Sequence, residues 1–184
     1  MRCEAWLPAV NRRLRAGVFL MVAAVAGLAG YYFNQARLSS AATEAAAQEL
    51  TQASLTDLNG KAQSLSQWRG KILVVNFWAT WCLPCRVEIP ALIKVQTKYA
   101  SNGVEVVGIA FDNTSKVRDY AAEMHINYSL LLAGMEIMTI SMDLGNRAQV
   151  LPFTVVLDRA GKVAYTHVGV LTEAALDLML LPLL

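Results

Sequence analysis

Cys82 and Cys85 stand three residues apart in Trp81-Cys82-Leu83-Pro84-Cys85, between the most apolar run of the chain and a helix. On the first turn of a helix, thiols at i and i+3 are close enough to form a disulfide. They also face the positive end of the helix dipole and its unpaired backbone N–H groups. That environment stabilises a thiolate, the nucleophilic form of cysteine. Cys82, at the edge of the helix, is expected to be the exposed attacking sulfur. Cys85, one turn in, is expected to be buried and to resolve the mixed disulfide. Pro84 is tolerated there because first-turn N–H groups have no intrahelical partner.

Other uses of such a pair fit poorly. A structural zinc site takes four ligands, and the two histidines, His125 and His167, lie far along the chain. A c-type haem site needs His directly after the second Cys, where this chain has Arg86. A purely structural disulfide would close a very small ring and gain little. The expectation is a redox-active disulfide, with no metal and no other cofactor.

The elements that must hold this pair follow from the pattern. Ile72-Leu-Val-Val-Asn-Phe-Trp78 is a continuous apolar run, as in a strand covered on both faces. A helix is predicted over 82–100, with Ile89, Leu92 and Ile93 on its buried stripe. Strands are predicted at 104–111, 129–132, 153–158 and 162–168. Helices are predicted at 115–124, 135–143 and 172–181, with Thr172 as an N-cap. Residues 54–65 read as a small hairpin around Asn59-Gly60 with a type I′ turn. Strands alternating with helices, with a late hairpin, predict an α/β domain with a mixed sheet over 51–184.

The chain has 184 residues, 55% of them apolar and only 16% charged. That composition excludes a disordered chain. Residues 51–184 carry 11 basic and 11 acidic side chains. A neutral body lacks the basic footprint of nucleic-acid binding. Residues 16–36 contain no charge, just enough to cross a bilayer. Arg2, Arg12, Arg13 and Arg15 precede this run, and Tyr31, Tyr32 and Phe33 close it. The positive-inside rule then gives a cytoplasmic segment over 1–15, a transmembrane anchor over 16–36 and an exported body. A cleaved signal peptide ending near Gly27-Leu28-Ala29 is the competing reading. Residues 37–50 read as a linker, Ala-rich enough for a helical stalk. Cys3 precedes the apolar run and is read as a free cytoplasmic thiol.

Val74-Val-Asn-Phe-Trp-Ala-Thr-Trp-Cys-Leu-Pro-Cys-Arg-Val-Glu-Ile-Pro90 resembles the thioredoxin-like proteins of the TlpA/ResA type. The resemblance covers 51–184 and implies a thioredoxin fold, with 113–145 as the family's strand–helix insert. It implies a membrane-anchored thiol–disulfide oxidoreductase facing the bacterial periplasm or exterior, a single-pass protein of the inner membrane. Its implied substrates are cysteine-containing proteins, among them apocytochrome c and cytochrome oxidase assembly factors, and its electron donor a membrane thiol reductase. Cys82 and Cys85 match the active pair, and Pro90 matches a helix-kinking proline. Pro152 matches the cis-proline beside the active site, which leaves Leu151 free to pair with an extended substrate. Glu88 matches an acidic residue that exchanges protons with the cysteines. Asn76 stands where thioredoxin itself has a buried Asp, which strengthens the candidacy of Glu88. Trp78 and Trp81 are expected to shape the apolar surface around Cys82, and Trp81, Leu83 and Leu151 to select the partner. His167 is expected on a strand surface.

The leading function is reduction of partner disulfides. Leu83 places no positive charge between the cysteines, which points to a reductant and not a strong oxidant. One alternative is a copper-binding assembly factor for cytochrome oxidase, with Cys82, Cys85 and His167 as ligands. Its relatives carry three residues between the cysteines, and this chain has two. The other is a peroxidase of the same fold, whose Pro-x-x-x-Thr-x-x-Cys loop this chain lacks.

Overall fold

The computed structural model describes residues 12–184. Cys3 and Arg2, and the expectations that rest on them, lie outside the described residues. The chain divides into two units, residues 1–41 and 42–184.

In the first unit the described residues belong to one helix, α1, which spans Arg12–Gln52 and continues into the second unit. Its stretch Gly17–Gln35 is apolar and long enough to cross a membrane, and none of it is buried in protein. Phe19, Leu20 and Met21 are exposed, as lipid-facing side chains would be. Tyr31 and Tyr32 meet edge to face at 5.7 Å at the far end of the span.

The second unit starts at Ala42 and not at 51. Ala46, Ala47 and Leu50 of α1 are buried in its core. The stretch read as a linker over 37–50 therefore ends in a packed helical turn. Its small alanines let a helix approach the sheet closely, which composition alone reads as a stalk.

Seven strands form one mixed sheet in the order β2-β1-β5-β4-β3-β6-β7. They are β1 (Leu55–Asp57), β2 (Ala62–Gln63), β3 (Ile72–Trp78), β4 (Val104–Ala110), β5 (Ser129–Leu132), β6 (Phe153–Leu157) and β7 (Val163–Val168). β4 pairs parallel to β3 and β5, and the other pairings are antiparallel. The helices are α2 (Leu83–Tyr99), α3 (Thr114–Glu123), α4 (Met135–Asp143) and α5 (Glu173–Leu180).

β3 shows how sequence alternation divides the core. Ile72, Val74 and Trp78 point to the layer that holds Ile89, Leu92, Leu176 and Leu180. Leu73, Val75 and Phe77 point to the layer that holds Leu50, Ile137 and Ile140. A central strand covered on both faces is apolar at nearly every position. The exception, Asn76, falls on the α2 side by the same period of two.

Two hairpins are closed alike. In Asp57-Leu-Asn-Gly-Lys61 and Asp158-Arg-Ala-Gly-Lys162, the glycine N–H donates to the aspartate carbonyl, at 3.0 and 2.9 Å. Each Asp Oδ1 accepts from two backbone N–H groups of its own turn. Gly60 and Gly161 hold φ of 78° and 80°, while Asn59 does not have positive φ. The first hairpin is therefore not the type I′ turn expected of Asn-Gly. It is a three-residue loop ending in a left-handed glycine.

Residues 113–145 hold a helix, a strand and a second helix, α3-β5-α4. β5 inserts between β4 and β1 in the sheet.

Candidate active site

β3 ends at Trp78, and its next residues turn into α2 with Cys82 as N-cap. The Thr80 hydroxyl donates to Asp112 just beyond β4, tying this turn to the neighbouring strand end. Cys82 and Cys85 form a disulfide with S–S 2.04 Å and Cα–Cα 5.3 Å. Cys82 Sγ also accepts from the Cys85 backbone N–H at 3.2 Å. Cys82 was expected to be exposed. It is only 5% exposed against 0% for Cys85, because it belongs to the core cluster that holds Ala79, Cys85 and Ile89, with Leu151 packed against it. The order of accessibility still favours Cys82 as the sulfur a partner reaches.

Around Cys82 lies an apolar groove of about 500 Å³, bounded by Trp81, Leu83, Pro84, Phe111, Met138 and the loop Gln149–Leu151. Trp81 and Leu83 are exposed. Trp78 is not part of this surface. It is fully buried and packs on Tyr120 with ring centroids 5.8 Å apart, because its position in β3 turns it into the α2 layer. The Leu151–Pro152 bond is cis. Pro152 carbonyl accepts from Gly169 N–H at 2.9 Å, which leaves Leu151 at the open side.

The loop before Pro152 is held by a residue that sequence reading passed over. Asn146, buried in spite of its amide, donates from Nδ2 to Val150 carbonyl and accepts at Oδ1 from Val150 N–H, both at 3.0 Å. One side chain thus takes the place of a strand neighbour. Gln149, with φ of 52°, makes the turn that the clamp requires. A lone Asn in a loop carries no periodic signal, so only the fold reveals it.

Glu88 lies on α2 three residues past Cys85, on the same helical face, and is 1% exposed. Its Oε1 accepts from Asn76 Nδ2 at 2.6 Å, and its Oε2 accepts from Leu171 N–H at 3.0 Å. Asn76 Nδ2 also donates to Thr154 Oγ1 at 3.0 Å. Burial pushes the Glu88 carboxyl up to about 7, against the opposing pull of these two hydrogen bonds. Tyr128 OH, Trp78 Nε1 and Asn76 Oδ1 are buried without a partner among the described residues. Burial, and next the charge of Glu88, push the Tyr128 hydroxyl up.

Arg86 does not serve the sulfurs. Its guanidinium lies over the Tyr120 ring at 4.9 Å, and Nε donates to Tyr120 OH at 3.3 Å. Pro90 sits inside α2. His167 lies on β7 opposite Thr154. Among the described residues, no three His, Cys, Asp or Glu side chains converge as a metal site. His167 is not grouped with Cys82 and Cys85 among the described residues, so the ligand set of the copper alternative is not assembled here.

The Redoxin family model matches residues 43–180. The thioredoxin-like protein YneN of Bacillus subtilis is 31% identical over 166 residues, covering 88% of this chain and 93% of that one. The thiol–disulfide oxidoreductase ResA of Bacillus cereus is 28% identical over 169 residues, covering 91% of this chain and 94% of that one. A crystal structure of a thiol:disulfide interchange protein from Chlorobium tepidum superposes with a TM-score of 0.64 at 32% identity, over 72% of this chain and 95% of that one. The chain belongs to the Redoxin family, as a thioredoxin-like thiol–disulfide oxidoreductase of the ResA type.

Proposed function

We propose that the protein reduces disulfides of partner proteins outside the cytoplasm while held to the membrane by α1. The observation that carries this reading is the pairing of a groove-lining Cys82 with a fully buried Cys85 and a buried Glu88 on one helix. Cys82 thiolate attacks a partner disulfide, one S–S bond breaks, and a partner thiolate leaves. Cys85 then attacks the Cys82 sulfur, and its thiol proton passes to the Glu88 carboxylate. The second partner sulfur leaves, and the Cys82–Cys85 disulfide forms. The partner gains two electrons and leaves as two thiolates that take their protons from solvent; the enzyme loses two electrons, and the Cys85 proton stays on Glu88. The active disulfide is the sole redox group this scheme needs.

A membrane thiol reductase restores the dithiol, and Glu88, protonated, then supplies the leaving Cys85 with its proton. The arginines before the apolar span support a single-pass topology in a bacterial inner membrane, N-terminus inside and domain in the periplasm. Apocytochrome c and oxidase assembly factors are the proposed partners, on the resemblance to the TlpA/ResA type. Leu83 between the cysteines, and an Arg86 engaged on Tyr120, support a reducing direction, because neither puts a positive charge beside the thiolate.

The test is the reduction potential of the full chain in detergent micelles, from equilibrium with dithiothreitol and glutathione buffers. A value near about −270 mV is expected, as in thioredoxin. A value near about −120 mV would mark an oxidant and reverse the direction.

A further inference from the structure

α4 has two apolar faces, and the fold uses one. Ile137 and Ile140, with Leu144 just beyond the helix, are buried in the core. Met135, Met138 and Met142 recur at i, i+3 and i+7, which places them together on the opposite face. Met135 is 91% exposed. Met138 lines the groove beside Cys82. Met142 Sδ accepts from Gln149 Nε2, another groove residue, at 2.7 Å. Beyond Phe111 and Met138 the groove runs into a second hollow of about 370 Å³, bounded also by Ala133, Gly134 and Met135. Asp112 at its edge is engaged by Thr80 and by the Asn113 N–H, and the Glu136 carboxylate lies against Gly134 on the rim.

We propose that this methionine face is a side-chain subsite of the exchange groove, taking a bulky apolar residue two positions from the attacked cysteine of an extended partner segment. The inference rests on the proposed exchange reaction and deepens it. Continuity with the groove argues for that occupant, since Phe111 and Met138 line both hollows and Cys82 lines the first. The loop argues for an extended segment. Asn146 takes both backbone groups of Val150, while Leu151 N–H and carbonyl have no partner among the described residues. A strand can pair there. In an extended segment, side chains two apart share one face. A cysteine directed at Cys82 therefore turns its second neighbour along the same wall, toward Phe111 and Met138. Unbranched thioethers adapt to apolar side chains of varied shape.

The test uses the full chain in micelles, reduced, with extended peptides whose single cysteine is disulfide-linked to glutathione. The peptides carry Leu one or two positions before or after the cysteine, or Ser throughout. The expected result is a kcat/KM about tenfold higher for Leu two positions away than for Ser, and no gain for Leu at the adjacent positions. In Met135→Gln/Met138→Gln the Leu-to-Ser ratio falls toward one. Met135→Gln alone, at an exposed position that the fold does not need, lowers the ratio in part. Equal rates for all peptides, a preference at adjacent positions, or a ratio unchanged in both variants would overturn the subsite. A Leu preference that fades as enzyme concentration rises would assign the hollow to a second copy and also overturn it. Failure to reduce any peptide, Ser included, would overturn the exchange reading itself.

Discussion

Asn76 Nδ2 donates to Glu88 Oε1 at 2.6 Å across the contact between β3 and α2, in a small buried polar cluster with Thr154. An amide from the sheet thus steadies a carboxylate on the helix without neutralising it. The carboxyl is left to titrate at about 7 because desolvation outweighs its hydrogen bonds. A group that changes protonation near neutral pH, three residues from Cys85, suits proton transfer to and from that sulfur.

Glu88→Gln removes the titration. The resolving step, followed by stopped-flow fluorescence of the mixed disulfide, should slow about a hundredfold at pH 7. Its pH profile should lose the inflection near 7 that the carboxyl supplies. An unchanged profile would leave Glu88 with only a role at the helix.

The same carboxyl couples stability to pH. Its folded value of about 7 lies above the ordinary 4.5, so the folded chain binds a proton that the unfolded chain releases between these values. The contribution is most favourable below 4.5, declines as pH rises to about 7, and is level above. The loss is of the order of 3 kcal/mol. Urea unfolding from pH 4.5 to 8 should show this decline in the parent and a much flatter line in Glu88→Gln.

Cys85→Ala should accumulate mixed disulfides with partner proteins on non-reducing gels, through Cys82. Cys82→Ala should accumulate none. Trapping through Cys85 would reverse the assignment of attacking and resolving sulfurs.

Asn146→Ala deletes two hydrogen bonds to Val150. At about 1 kcal/mol each, the 149–151 loop should lose its set position. KM for a protein disulfide should rise roughly tenfold or more, with a much smaller change in kcat. A matched fall in kcat instead would mean that Asn146 serves the chemistry and not the docking of substrate.

Leu50→Ala tests whether the end of α1 belongs to the domain. Leu50 is fully buried among core residues, so truncation should cost about 2–5 kcal/mol in denaturant unfolding. A change under about 0.5 kcal/mol, as at an exposed site, would return 42–50 to a linker.

Much of this protein was legible in its sequence because the signals were local. The Trp-Cys-x-Pro-Cys segment needs only a helix N-terminus to define its chemistry, and Cys82 is the N-cap. The order of strands and helices follows from periodicity, and Thr172 and Asn113 cap the helices that follow them. The apolar span over Gly17–Gln35 is a matter of length and composition.

Tertiary structure decided what depends on partners distant in the chain. The raised Glu88 carboxyl requires burial by packing around α2, which outweighs the lowering hydrogen bonds from Asn76 of β3 and from Leu171 before α5. Trp78 and Trp81 look alike in sequence, yet one is buried and the other exposed, because a strand directs the first inward and a turn releases the second. The Asn146 clamp and the methionine face of α4 become meaningful only where the loop and helix meet Cys82. Desolvation and shape are properties of packing, and a one-dimensional pattern states which residues are apolar but not which of them enclose a charge.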